Sequence, residues 1–229
     1  MKLVHPDFYC QIELTENRIP VIIFESPNRL LNFISQLKAQ MDGYEGEWVL
    51  SENGTILDVS KTCELIIDLF SLDMNQKKLT SALYHRLERE LLSSELLPEW
   101  NSFYSVLSNF TEKVFTLSEY HLNYRETLDV RDFLKFMNVS FEDSSEDLLE
   151  RVIDYMVLSS AIVGTSLFIL CNAKSFFDDT QLTYLYEQAF YKKFFLILIE
   201  SHSSNEKNEL EDIIIIDKDD CVIHFNHVK

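Results

Sequence analysis

The sequence predicts an α/β protein, with a nucleotidase-like head that contains a partly parallel sheet but no phosphate loop, and with an all-helical domain inserted into that head. Residues 166–171 and 194–199 are apolar runs separated by a helix signal of about a dozen residues, an order typical of a parallel βαβ unit. The four glycines, at positions 43, 46, 54 and 164, form no Gly-x-x-x-x-Gly-Lys-Ser/Thr motif. No glycine-rich cradle for a polyphosphate is therefore predicted.

The first elements of the head are predicted from short apolar runs. Residues 8–14 and 20–24 indicate either a hairpin or two early strands. Ser26-Pro27 then predicts the start of a helix, because a capping residue precedes a proline at the first helical position. Residues 47–50 and 64–70 predict two further strands.

The inserted domain is predicted from a change of period at about residue 75, where helical spacing replaces strand patterns. Four helices are expected before the chain returns to the sheet, and the last of them covers residues 146–162. Since this stretch is too long for an ordinary crossover, we assign residues 1–73 and 163–229 to the α/β head and 74–162 to an inserted helical domain. The last two apolar runs of the head, 212–216 and 221–225, predict a hairpin with Asp217–Asp220 as its turn.

The composition predicts a cytoplasmic protein with no membrane span. No apolar run approaches the roughly 18 residues that a bilayer requires, and the first residues do not resemble a secretion signal. The four cysteines occur singly, which favours reduced core thiols over zinc or redox sites. Since no nucleophile motif is present either, we expect no catalytic residues and no enzyme activity.

The charge is unevenly distributed along the chain. The net charge is −18, which on average repels phosphate backbones. Residues 75–90, however, contain four bases against two acids, whereas residues 118–150 contain nine acids against three bases. A role in binding nucleic acid would therefore depend on local basic patches, although solvated helix faces also explain such runs.

Three segments in a fixed order resemble a known family. Residues 63–79 contain a strand that ends in Asp73-Met-Asn75, residues 122–142 contain a loop, a short helix and Val139-Ser-Phe-Glu142, and residues 167–182 contain Leu167-Phe-Ile-Leu-Cys-Asn172 before a capped helix. Together with the closing hairpin, these segments resemble the type II-A CRISPR adaptation accessory protein, over nearly the whole length of the chain. No single motif identifies the family, so the order and spacing carry the resemblance.

The resemblance implies a non-enzymatic homotetrameric ring whose basic inner wall binds double-stranded DNA, with a preference for free ends. It also implies partners among the CRISPR integrase subunits and the effector nuclease, and bound calcium that steadies the helical legs. Our first candidates for the wall are Lys77, Lys78, Arg86 and Arg89, and further candidates are Lys61, Lys135 and Lys174.

The chain departs from the family at the expected calcium ligands. Only Glu126 and Glu142 match the carboxylate positions, which is too few for calcium unless Asp129, backbone carbonyls or water complete the shell. Arg125 lies in this stretch, and it could replace part of the positive charge that calcium supplies elsewhere.

Two other functions remain open at this point. The first is a degenerate nucleotide hydrolase that binds ATP without a phosphate loop. The second is a protein-interaction scaffold that would bind its partners through the acidic surface and through aromatic residues of the inserted helices. These aromatic residues are Tyr104, Phe110, Phe115 and Tyr120.

Overall fold

The computed structural model describes residues 1–6, 8–125, 127–142, 145–202 and 208–225. The chain divides into two compact units, unit 1 (residues 1–73 and 144–229) and unit 2 (residues 74–143). The strands are β1 Lys2–His5, β2 Phe8–Glu13, β3 Ile19–Phe24, β4 Val49–Glu52, β5 Thr55–Leu57, β6 Cys63–Ile66, β7 Leu167–Cys171, β8 Phe195–Glu200, β9 Glu211–Ile216 and β10 Val222–Phe225. The α-helices are α1 Pro27–Met41, α2 Val59–Thr62, α3 Lys77–Leu92, α4 Leu97–Phe115, α5 Val130–Phe136, α6 Leu148–Val163 and α7 Asp179–Lys192.

Unit 1 is built on a six-stranded sheet with the order β10-β9-β3-β8-β7-β6. All neighbours are parallel except β9 and β10, which form an antiparallel hairpin. Every residue of β3 and β7 is buried, as expected for parallel strands covered on both faces. The predicted α/β class, the βαβ unit formed by β7, α7 and β8, and the terminal hairpin are therefore confirmed.

The first strands do not form a hairpin with each other. β2 pairs with β1 in a separate antiparallel sheet with the order β2-β1-β4-β5, whereas β3 lies inside the large sheet. Between the two sheets, α1 contributes Phe33 and Leu37 to a core that also contains Trp48 and Leu50. The sequence is compatible with either a hairpin or two separate strands over residues 8–14 and 20–24, and the structure shows two strands in different sheets.

Helix α6 belongs to unit 1, although the sequence predicts that residues 146–162 are part of the inserted domain. Tyr155 and Ser159 of α6 both donate hydrogen bonds to the Glu64 carboxylate of β6. Ser159 also lies 3.0 Å from the Thr165 hydroxyl, just before β7. The helical period of α6 predicts the helix, but it does not indicate whether the apolar face packs on a sheet or on other helices. The second unit consequently ends at residue 143 rather than 162.

Unit 2 contains α3, α4 and α5. Asn75 closes the unit by exchanging two hydrogen bonds with the backbone of Phe141, at 3.1 and 2.8 Å. The Tyr84 hydroxyl donates to the Val139 carbonyl at 2.7 Å. Trp100 and Phe103 of α4 pack edge-on against Phe133 of α5, with ring centroids 5.5 and 5.4 Å apart. These contacts join the two ends and the three helices of the unit.

None of the helices among the described residues combines the length and the apolar character that a membrane span requires.

Candidate nucleic-acid interface

Helix α3 presents a basic side and an apolar side. Leu79 is fully buried, and Leu83 and Leu87 continue the apolar stripe at helical spacing. Lys78, His85 and Arg89 recur on the opposite side, and all three are exposed. Lys77 and Arg86 lie to either side of that line and are also exposed. Four sequence-predicted bases therefore lie on the solvent side of one helix, although not in a single row.

The positive end of α3 carries no neutralising group from its own first turn. Lys77 and Lys78 begin the helix, the first turn contains no acid, and Gln76 at the N-cap makes no side-chain capping bond. A helix N-terminus already bears positive partial charge, so lysines at this end are unfavourable for the helix itself. They add to a positive potential that attracts anions. The beginning of α3 is therefore a candidate position for a phosphate contact.

The other two bases of α3 differ in their ion pairs. The Arg86 Nε lies 2.8 Å from Oε1 of Glu90, one turn away, so its charge is partly offset. Arg89 is exposed in the last turn and forms no ion pair with any described residue. Arg89 is therefore the better candidate of the two for a phosphate contact.

Helix α5 adds one base that is not among the candidates predicted from the sequence. The Arg131 Nε lies 2.9 Å from Glu88 Oε2, and its guanidinium is 3.5 Å from His85 Nε2. Arg131 thus joins α5 to α3 beside the basic side and neutralises an acid there. It was missed because it lies in the acidic window, where the pairing with α3 is not visible from spacing. Lys135, which was predicted, is 62% exposed and lies 3.3 Å from Asp132.

The two remaining candidate bases belong to unit 1. Lys61 of α2 is 82% exposed and lies 3.2 Å from Asp58, the N-cap residue of the same helix. Lys174 has a side chain only 10% exposed, and its ammonium lies 2.7 Å from Glu211 Oε2. A buried, paired ammonium cannot reach a phosphate, so the structure removes Lys174 from the candidate set.

The structure describes two of the three expected calcium ligands. Asp129 accepts a hydrogen bond from Arg125 at 2.8 Å, Glu142 is exposed, and Glu126 lies outside the described residues. No group of three or more His, Cys, Asp or Glu side chains suitable for a metal ion occurs in the described part of the chain. Calcium takes six to eight oxygen ligands, and the described residues do not fit that requirement.

A cleft of about 450 Å³ lies at the carboxyl ends of β3 and β8, where α/β proteins commonly bind ligands. Its lining includes Glu25, directly after β3, and Ser201 and His202, directly after β8. Lys218 also contributes to the lining, so the cleft contains both a carboxylate and an ammonium group. The Ser201 hydroxyl lies 2.9 Å from Asn172 Oδ1 and 2.8 Å from His202 Nδ1. None of the residues that line the cleft is a glycine, so the cleft has no glycine-rich loop of the kind that binds polyphosphates.

Helix α4 carries an apolar stripe that its own chain leaves exposed. None of its residues is fully buried. Five apolar side chains recur at alternating steps of four and three residues, the spacing of a coiled-coil seam. They are Phe103, Leu107, Phe110, Val114 and, just beyond the helix, Leu117, with exposed fractions of 42, 36, 63, 41 and 85%. We call these five residues the α4 stripe.

Comparison with known proteins identifies a protein family. A family model described as CRISPR-associated protein (Cas_Csn2) matches residues 40–220, which is most of the chain. The matched range includes all of unit 2 and most of the six-stranded sheet. No curated protein matches the chain.

Proposed function

The chain belongs to the CRISPR-associated protein family Cas_Csn2, and from this premise we propose that it binds ends of double-stranded DNA, without catalysis, during CRISPR spacer acquisition. In this proposal four copies form a ring with a basic inner wall. The ring would work beside the CRISPR integrase subunits and the effector nuclease. The family match supports the CRISPR association, and the features of unit 2 support the DNA-binding role.

The observation that carries the proposal is the positive end of α3. Lys77 and Lys78 lie at a helix end that already bears positive partial charge, and the exposed Arg89 lies on the same helix. Each phosphate that such bases neutralise releases condensed counterions, which supplies affinity without reading the base sequence. A net charge of −18 opposes binding over most of the surface, so the bases must act together in one place. Several copies facing a common lumen would meet this need.

The α4 stripe supports self-association. An exposed seam of four-three spacing is unfavourable in water and is normally buried against another helix. A second copy of the same helix offers a seam of matching length and spacing. Four copies would multiply the basic sides of α3, and linked sites bind a long polyanion more tightly than any one of them alone. We therefore assign the α4 stripe to contact between copies.

A scaffold function is the second candidate, and the same stripe is the observation that favours it. Phe110 and Tyr120 are 63% and 82% exposed, whereas Phe115 packs edge-on against Tyr124 at 5.2 Å. The aromatic residues proposed for a scaffold are thus only partly available. A scaffold would bind its partners with no need for the basic end of α3, which gives a direct way to separate the two functions.

The double variant Lys77→Glu/Lys78→Glu tests the proposal. Both positions are exposed, so the variant should remain folded, as its thermal unfolding will show. DNA affinity should nevertheless fall. A plot of log affinity against log salt should become shallower by roughly 1 for each phosphate that the variant no longer neutralises. Fluorescence anisotropy with a labelled linear duplex at several salt concentrations measures both quantities.

The matched control is Lys38→Glu/Lys192→Glu, which changes the net charge equally on exposed helix ends of unit 1. It should leave the salt slope unchanged. If the α3 variant binds linear duplex as tightly as the wild type while remaining folded, the DNA-binding proposal is wrong and the scaffold function is favoured.

A further inference from the structure

Arg125 is held between two carboxylates at the start of α5. Its Nη1 lies 2.6 Å from Asp132 Oδ2, and its Nη2 lies 2.8 Å from Asp129 Oδ2. Lys135 approaches the other oxygen of Asp132 at 3.3 Å. Two cations and two anions thus form a cluster with no net charge.

The cluster organises the connection between α4 and α5. No helix or strand occurs among the described residues between Phe115 and Val130. Asp129 is the N-cap residue of α5, yet its carboxylate makes no bond to the helix backbone and binds Arg125 instead. Asp132 lies in the first turn of the same helix. Arg125 therefore ties the connecting chain to the beginning of α5 through the two acids that flank that beginning.

Two neighbouring carboxylates repel each other, and a counter-ion between them offsets this repulsion. Here Asp129 and Asp132 already have one from their own chain, and three of their four oxygens are engaged by Arg125 and Lys135. We propose that Arg125 is a built-in counter-ion that takes the place of a divalent cation, so that unit 2 folds and binds DNA independently of calcium.

The electrostatics of the cluster agree with this assignment. Hydrogen bonding to Asp132, together with the charges of both acids, raises the pKa of the Arg125 guanidinium. Lys135 and then Arg125 lower the pKa of the Asp132 carboxyl group. A guanidinium keeps its charge at all accessible pH values, so this counter-ion is permanent.

The test compares the wild type with Arg125→Gln and Arg125→Lys in thermal unfolding, with chelator, with millimolar calcium and with magnesium at matched ionic strength. The unfolding temperature of the wild type should be the same in all three conditions. Arg125→Gln should unfold at a temperature lower by about 2 °C in chelator, since two acids lose their partner. Calcium should restore the loss more than magnesium does. Arg125→Lys, which keeps the charge, should lose less than Arg125→Gln.

This thermal measurement contains no DNA, so it can fail independently of the proposed function. A second measurement, which rests on that function, repeats duplex binding by the wild type in chelator and in calcium, and predicts equal affinities. Two results would overturn the inference. One is a wild type that loses stability or DNA affinity in chelator, and the other is an Arg125→Gln variant that calcium does not stabilise.

Discussion

A buried carboxyl group at the end of β8 gives the most quantitative prediction. Glu200 is 3% exposed, and Glu211, at the start of β9, is 1% exposed. The Glu211 carboxylate accepts hydrogen bonds from the Lys174 ammonium and the Tyr186 hydroxyl, each at 2.7 Å. Glu200 accepts a hydrogen bond from the backbone N–H of Lys174 at 3.1 Å, whereas the ammonium of that lysine bonds to Glu211. Burial, as the largest cause, therefore raises the pKa of Glu200 to about 7.

The sign of the effect on stability follows from where the proton binds. Between the ordinary value of 4.5 and about 7, the folded protein keeps a proton on Glu200 that the unfolded chain has released. The contribution of Glu200 to folding is consequently most favourable below pH 4.5 and becomes less favourable as the pH rises to about 7. At 1.36 kcal/mol for a tenfold change in proton affinity, the full loss is about 3 kcal/mol.

The variant Glu200→Gln removes the titration and keeps an oxygen for the Lys174 N–H. It should match the wild type near pH 4.5 and exceed its free energy of unfolding by up to about 3 kcal/mol at pH 8. Urea unfolding between pH 4.5 and 8 measures the difference. Glu187→Gln, an exposed position on α7, is the control and should show no such divergence. A constant offset between Glu200→Gln and wild type across the pH range would refute the argument.

Two other substitutions have clear expected outcomes. Lys174→Met leaves the Glu211 carboxylate buried without its ammonium partner, and the variant should lose about 3–5 kcal/mol of unfolding free energy, measured by urea titration. The salt dependence of its DNA affinity should equal that of the wild type. A shallower salt dependence would show that Lys174 belongs to the DNA interface. Phe110→Glu places a charge in the α4 stripe and should reduce the mass of the assembly in solution, measured by light scattering. The control Ser105→Glu, on the polar side of α4, should leave that mass unchanged. Equal masses for the two variants would rule out the stripe as the contact between copies.

Much of the sheet could be predicted because each of these strands corresponds to a short apolar run of neighbouring residues. Continuous apolar runs predicted β7 and β8, and the acidic cluster 217–220 predicted the turn of the terminal hairpin. Asp178 and Gln181 form a complete capping box at the start of α7, where the sequence placed a cap. In each case a few neighbouring residues determine the structure.

Partners distant in sequence could not be predicted in the same way. The position of α6 in unit 1 depends on hydrogen bonds from Tyr155 and Ser159 to Glu64, about 90 residues earlier in the chain. Lys174 resembled a surface base, and only the fold shows that Glu211 takes its charge. The pairing of Arg131 with Glu88 was hidden for the same reason. Spacing along the chain identifies a side of a helix, but not the side chain that faces it.

The sequence predicts which bases belong to the basic side of α3, but only the structure shows how each of them is paired. The sequence placed Lys77, Lys78, Arg86 and Arg89 in one basic window. The structure shows that Arg86 is paired with Glu90, and that the first turn of α3 holds the two lysines without an acid. This difference decides which substitutions are informative.

The most direct test of the central claim is a comparison of linear and closed circular duplex of equal length and sequence, in competition for the wild-type protein. A ring that surrounds DNA with phosphate contacts from several copies can load onto a free end but not onto a closed circle. We predict strong binding to the linear form, weak or absent binding to the circle, and loss of binding as salt rises. Equal affinity for the two forms would contradict the account.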